Sequence, residues 1–142
     1  LHRDYLISPL EELIAYSEDL QLVGVDFFEA VLGKWLELVG RYGSAMVLLR
    51  SREGYLARHQ RGERHAKTLE RAWGKAVREL MDVEHVDESL YEYALALRNS
   101  MHNSREILDL LGVTKRSPAR LVHDLTTIYR GTLRGLATTT YP

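Results

Sequence analysis

RGERHAKTLERAWGKAVREL, residues 61–80, carries two patterns at once. Arg61, Arg64, Lys67, Arg71, Lys75 and Arg78 recur at steps of three or four. At about 100° per residue, these six cations fall within an arc of about 120° on a helix. The apolar residues of the same stretch, Ala66, Leu69, Ala72, Trp73, Ala76, Val77 and Leu80, centre almost opposite. The pattern predicts an amphipathic helix with one face to bury and another offering about 25 Å of positive charge, at about 1.5 Å per residue.

The same period governs the flanks, and no segment alternates convincingly at period two. Ser8-Pro9 and Ser117-Pro118 each place a capping serine before a proline at the first helical position, where the missing N–H costs nothing. Glu11 completes a capping box with Ser8, so a first helix is expected from about Pro9 to Leu22, ending at Gly24. Asp26, with Glu29 three residues on, is expected to cap a second, central helix. It contains Phe27, Phe28, Val31, Leu32, Trp35, Leu36, Leu38 and Val39, then Ala45 to Leu49, with a bend or break expected near Gly40 and Gly43 and another break near Gly62. The basic helix should end near Val83.

Asp87 opens a further helix to about His102, with Leu90, Tyr93, Ala94, Leu97 and Met101 on one face. Asn103 and Glu106 form another capping box for a short helix through Leu111, closed by Gly112. A last helix runs from Pro118 to about Leu133, and residues 136–142 read as a frayed tail. The fold expectation is one all-α domain over residues 1–142, a bundle of five to seven helices. Its expected core is Phe27, Phe28, Val31, Leu32, Trp35, Leu36, Val39, Leu69, Trp73, Val77, Leu80, Leu90, Tyr93, Leu97 and Leu108.

At 142 residues the chain can bury a core of its own. It has no cysteine, which excludes disulfides and thiolate metal sites and fits a reducing, cytoplasmic setting. Residues 1–21 carry charge throughout, so no signal peptide is expected. Glu29, Lys34, Glu37 and Arg41 interrupt the most apolar stretch too often for a membrane span.

The net charge of −1 conceals segregation. Residues 1–40 hold two basic and eight acidic side chains, residues 41–80 ten and four, residues 81–97 none and five, and residues 98–142 seven and three. Such blocks either neutralise one another within the fold or an oligomer, or present a directional field to a partner.

Motifs for catalysis or metal binding are sparse. The histidines (His2, His59, His65, His85, His102, His123) form no Glu-x-x-His pairs of the kind di-iron bundles use, and no His-Glu-x-x-His zinc motif. Asp82-x-x-His85 is the nearest, at a helix end. There is no Gly-x-Ser-x-Gly elbow, and Gly74-Lys75 lacks the rest of a phosphate loop. No metal or cofactor is expected.

Three resemblances add expectations. Arg98-Asn99-Ser100-Met101-His102 resembles the Arg…His motif of HEPN-superfamily ribonucleases, with three intervening residues where that family has four to six; Arg58 to His65 has six. That resemblance implies RNA cleavage in a cleft between two copies. Residues 104–123 resemble a helix-turn-helix, which would bring Lys115, Arg116 and Arg120 nearest DNA. Here Leu108 stands where close crossing calls for Ala, and Pro118 delays the second helix. Leu111-Gly112-x-x-x-Arg116-Ser117, with His123 beyond, is similar to a segment of polyhydroxyalkanoate granule and synthase-accessory proteins, implying a helical scaffold without catalysis.

The functional expectation is a non-enzymatic binding protein, a homo-oligomer contacting a nucleic-acid backbone through the stripe. Six phosphate contacts would give log K against log salt a slope near −5. The alternative is an oligomeric scaffold docking an acidic protein surface, and the lesser one a HEPN-like ribonuclease.

Overall fold

The helical period of residues 64–80 is realised in the computed structural model, which describes residues 2–48 and 64–137, with side chains described for residues 8–43, 67 and 70–137. Among the described residues six helices follow in order: α1 (His2–Asp19), α2 (Gly24–Leu48), α3 (Arg64–Met81), α4 (Glu88–Met101), α5 (Ser104–Gly112) and α6 (Pro118–Ala137). No strand occurs among the described residues. α2, the most apolar helix, packs against α1, α3, α5 and α6; α1 also lies along α3, and α6 closes over α4. The fold is an all-α bundle around one apolar core.

The expected core of α2 is buried from Phe27 to Val39, and Trp73, Val77 and Leu80 of α3 join it. Leu90, Leu97 and Leu108 pack on its margin, while the side chain of Leu69 lies outside the described residues. Tyr93 is a correction, at 56% exposed. α4 buries Ala94, Leu95 and Arg98, so it is turned from the expected face by about 100°, one residue's rotation. The reason is Arg98, whose guanidinium is taken into the core.

Local signals held where side chains answer backbone groups nearby. Asp87 accepts from the amides of Ser89 and Leu90, at 3.1 and 3.4 Å. Asn103 accepts from that of Glu106 at 3.0 Å, and Ser117 from that of Arg120 at 3.2 Å. α3 stops at Asp82, which takes the left-handed conformation (φ +57°) that glycine usually supplies. The amide of Val83 then donates to the Arg78 carbonyl and that of Asp82 to Glu79's, the pattern of a Schellman close.

Several boundaries differ from expectation. Pro9 lies inside α1 rather than at its start; its own burial offsets the intrahelical bond that an interior proline forfeits. α1 also stops early, at Asp19, because Glu18 and Asp19 put negative charge at a helix end that favours positive. Gly40 and Gly43 do not break α2, which runs on to Leu48. Instead Gly43 is a notch for α5: a Cβ there would stand 3.2 Å from Leu108 Cδ1 and 3.0 Å from Val39 Cγ1. Gly112 remains helical, and Lys115 supplies the positive φ, +61°, three residues later. The expected break at Gly62 lies outside the described residues, and α6 continues past Leu133 to Ala137.

α2 begins two residues before the expected Asp26 cap, and its N-terminus is held from another helix. The Gly24 amide donates to Glu79 Oε2 of α3 at 2.8 Å, placing a carboxylate at the positive end of the longest helix. Replacing Glu79 by Ala is expected to lower stability by about 1 kcal/mol in urea titration, with Glu79→Gln losing less. Equal stability of wild type and Glu79→Ala would show that the contact contributes nothing.

Candidate functional site

α3 presents the stripe as a continuous helix with its apolar face sealed: Ala72, Trp73, Ala76, Val77 and Leu80 are all buried. Lys67, Arg71 and Arg78 are exposed on the other side. Their surroundings differ. Arg71 Nη2 meets Glu18 Oε1 of α1 at 2.8 Å, with both side chains largely in water. The Arg78 guanidinium folds back over Gly74, its Nη1 standing 3.3 Å from where a Cβ would be, in a hollow also lined by Glu70 and Glu88. Lys75 leaves the stripe: it is half-buried, with Nζ 4.8 Å from the centre of the Phe27 ring. Arg64 begins α3, but its side chain, like all of Arg61, lies outside the described residues. The described stripe is therefore three exposed cations, one of them in an exposed ion pair.

The corner between α5 and α6 is exposed throughout Lys115, Arg116 and Arg120. Arg116 donates to Thr114 Oγ1 at 2.7 Å, and Arg120 pairs with Asp124 at 3.0 Å. Five residues, 113–117, separate the helices, longer than the three- or four-residue turn of a helix-turn-helix. Leu108, at the position where that motif has Ala, packs into the Gly43 notch of α2. The corner is thus a plain bundle connection carrying three solvent-facing cations.

The Arg98/His102 pair stands four residues apart on one face of α4, and that face points inward. Arg98 is 7% exposed and His102 fully buried. The Arg98 guanidinium lies 4.9 Å from the Trp35 ring centre and 5.2 Å from that of Trp73, between cation–π contacts from α2 and α3. His102 stacks on Tyr129 of α6 at 5.3 Å and leans on Trp73 at 5.8 Å. Its carbonyl accepts from Trp35 Nε1 at 2.7 Å, and the Tyr129 hydroxyl donates to the Ala94 carbonyl at 2.6 Å. In this arrangement both side chains of the pair lie in the core, and neither lines an open cleft of the kind the HEPN resemblance implies. The other pair, Arg58 and His65, lies outside the described side chains.

Sequence expectation omits one cationic face. His123, Thr127, Arg130 and Arg134 of α6 are spaced by four, three and four residues and line a groove with the first turns of α2. Their period was present in the sequence; the wall opposite them was not. Among the described residues no three metal-ligating side chains come together, and no helix is long and apolar enough to cross a membrane. No protein-family model, characterised protein or solved structure matches the chain.

His102 makes stability sensitive to acid. Burial, reinforced by the Arg98 charge, lowers its pKa from 6.5 to about 3. The unfolded chain therefore takes up the proton first. The contribution of the neutral ring is complete above pH 6.5 and drains away as pH falls toward 3. The loss approaches about 1.4 kcal/mol per pH unit in the middle of that window and tapers off toward pH 3. Urea titrations between pH 6.5 and 4.5, before most carboxylates protonate, are expected to show this fall in wild type and a flatter profile in His102→Phe. Parallel profiles would place the acid sensitivity elsewhere.

Proposed function

We propose that the protein is a non-enzymatic binding module that contacts the phosphate backbone of a nucleic acid through the exposed face of α3. The observation that carries this reading is the division of α3 itself: a sealed apolar face and, opposite, Lys67, Arg71 and Arg78 in water. Arg64 to Arg78 spans about 21 Å at about 1.5 Å per residue, long enough to track several phosphates. The Arg71–Glu18 pair does not stand in the way. Exposed pairs contribute roughly 0–1 kcal/mol, so a phosphate can displace the carboxylate. Contacts of this kind fix position and carry no base information. Lys115, Arg116 and Arg120 give a second exposed basic group able to extend the contact.

A second reading, docking of an acidic protein surface or of a second copy, draws on the same Arg71–Glu18 pair, in which a carboxylate already occupies the stripe. The two readings part experimentally.

With Lys75 folded onto Phe27, three or four contacts remain rather than six. Binding to a short labelled duplex across a salt series is therefore expected to give a slope near −3, at about 0.9 per phosphate. Lys67→Glu/Arg71→Glu should weaken binding at least tenfold and flatten the slope by roughly 2. Salt-independent binding, or none, removes the nucleic-acid reading. If the same double variant instead converts a sedimenting oligomer to monomers, the acidic-surface reading takes its place.

A further inference from the structure

α6 has a second exposed face whose chemistry differs from that of α3. Val25 and Glu29 of α2 form one wall of an open groove of about 340 Å³, and His123, Arg130 and Arg134 of α6 form the other. That volume matches a small ligand and not a macromolecular strand. Thr126 lines it too and is 3% exposed, yet its Oγ1 has no hydrogen-bond partner. The neighbouring Thr127 shows the usual alternative, its hydroxyl donating back to the His123 carbonyl at 2.9 Å. The Nε of half-buried Arg130 is likewise buried without a hydrogen-bond partner. Neither Arg130 nor Arg134 has an ion pair among the described residues. Within the groove two guanidiniums and an imidazole face a single carboxylate, Glu29, and beyond it Glu79 is already engaged by the Gly24 amide.

Two guanidiniums and an imidazole around an open groove suit an anion with several acceptor oxygens, and guanidinium forks match phosphate geometry. Glu29 offers the reverse, an acceptor for a ligand hydroxyl. We propose that this groove binds a small phosphorylated ligand, its phosphate between Arg130 and Arg134 and its hydroxyl-bearing skeleton toward Glu29. The site is separate from the basic face of α3 and does not depend on the nucleic-acid reading.

Gly131 makes the test sharp. It lines the groove, and a Cβ built on it meets nothing within 4 Å. Gly131→Leu therefore plugs the groove, leaves every charge in place and improves helix propensity. Glycerol 3-phosphate titrated into the full chain by calorimetry, at constant ionic strength, is expected to bind saturably and more tightly than inorganic phosphate. Gly131→Leu and Arg134→Gln should each weaken it at least tenfold with Tm unchanged or raised, while Lys67→Glu/Arg71→Glu should bind it as wild type does. No saturable binding, or undiminished binding by Gly131→Leu, overturns the site. Inorganic phosphate binding as tightly as the ester overturns the assignment of an organic ligand. Nucleic-acid binding that survives Arg134→Gln separates this result from the fate of the α3 reading.

Discussion

The Arg98 guanidinium between the rings of Trp35 and Trp73 is the contact on which the arrangement of the bundle turns. Each ring belongs to a different helix, so one planar cation on α4 fixes the separation of α2 and α3 there. Four residues on, His102 extends the same face to α6 by stacking on Tyr129. Phe28 meets both Trp73 and Tyr129, at 5.8 and 5.2 Å between ring centres. An all-aliphatic core tolerates sliding, since packing energy is non-directional. This one does not slide freely: Trp35 must reach the His102 carbonyl and Tyr129 the Ala94 carbonyl. A buried polar group that misses its partner carries its desolvation cost uncompensated. Polarity at the centre therefore selects one packing.

That centre explains which parts of the fold were legible in the sequence. Caps at Asp87, Asn103 and Ser117 could be read because donor and acceptor lie within three residues of each other. The buried faces of α2 and α3 could be read because apolar residues mark them directly. α4 could not. Its apolar residues point to a face centred near Leu97, but a planar cation flanked by two indoles is more at home in the core than hydropathy implies, and the helix turns until Tyr93 faces water. Ser8-Pro9 failed in a different way: a capping signal is local, and the burial of Pro9 within α1 is not. Gly43 looked like a break and is a point of close approach, a distinction that needs Leu108 in view.

Charge follows the same logic. The acidic first quarter and basic second quarter of the chain meet in the fold. Arg41 of α2 pairs with Glu12 of α1, Arg71 of α3 pairs with Glu18, and Glu79 of α3 holds the Gly24 amide. Part of the segregation in the sequence is thus answered within the molecule. What periodicity reveals is the face a charged residue occupies; it is blind to where four rotatable bonds carry the head group. Lys75 has the spacing of a stripe residue and the position of a core-margin residue, because its methylenes and ammonium find the Phe27 ring.

Two cationic helices in one small bundle consequently differ in kind. On α3, Lys67 and Arg71 look into open water while Arg78 folds back over Gly74, so its exposed cations suit an extended polyanion that supplies its own order. α6 looks across at the first turns of α2, and the two walls exclude part of the solvent from Arg130 and Thr126. Interactions there are screened less than at an open surface, and a ligand gains from several donors held in one place before it arrives. The sequence period of His123, Thr127, Arg130 and Arg134 resembles that of the α3 stripe. Concavity alone separates them, and it comes from tertiary packing that brings residues 25 and 29 beside residues 123–134.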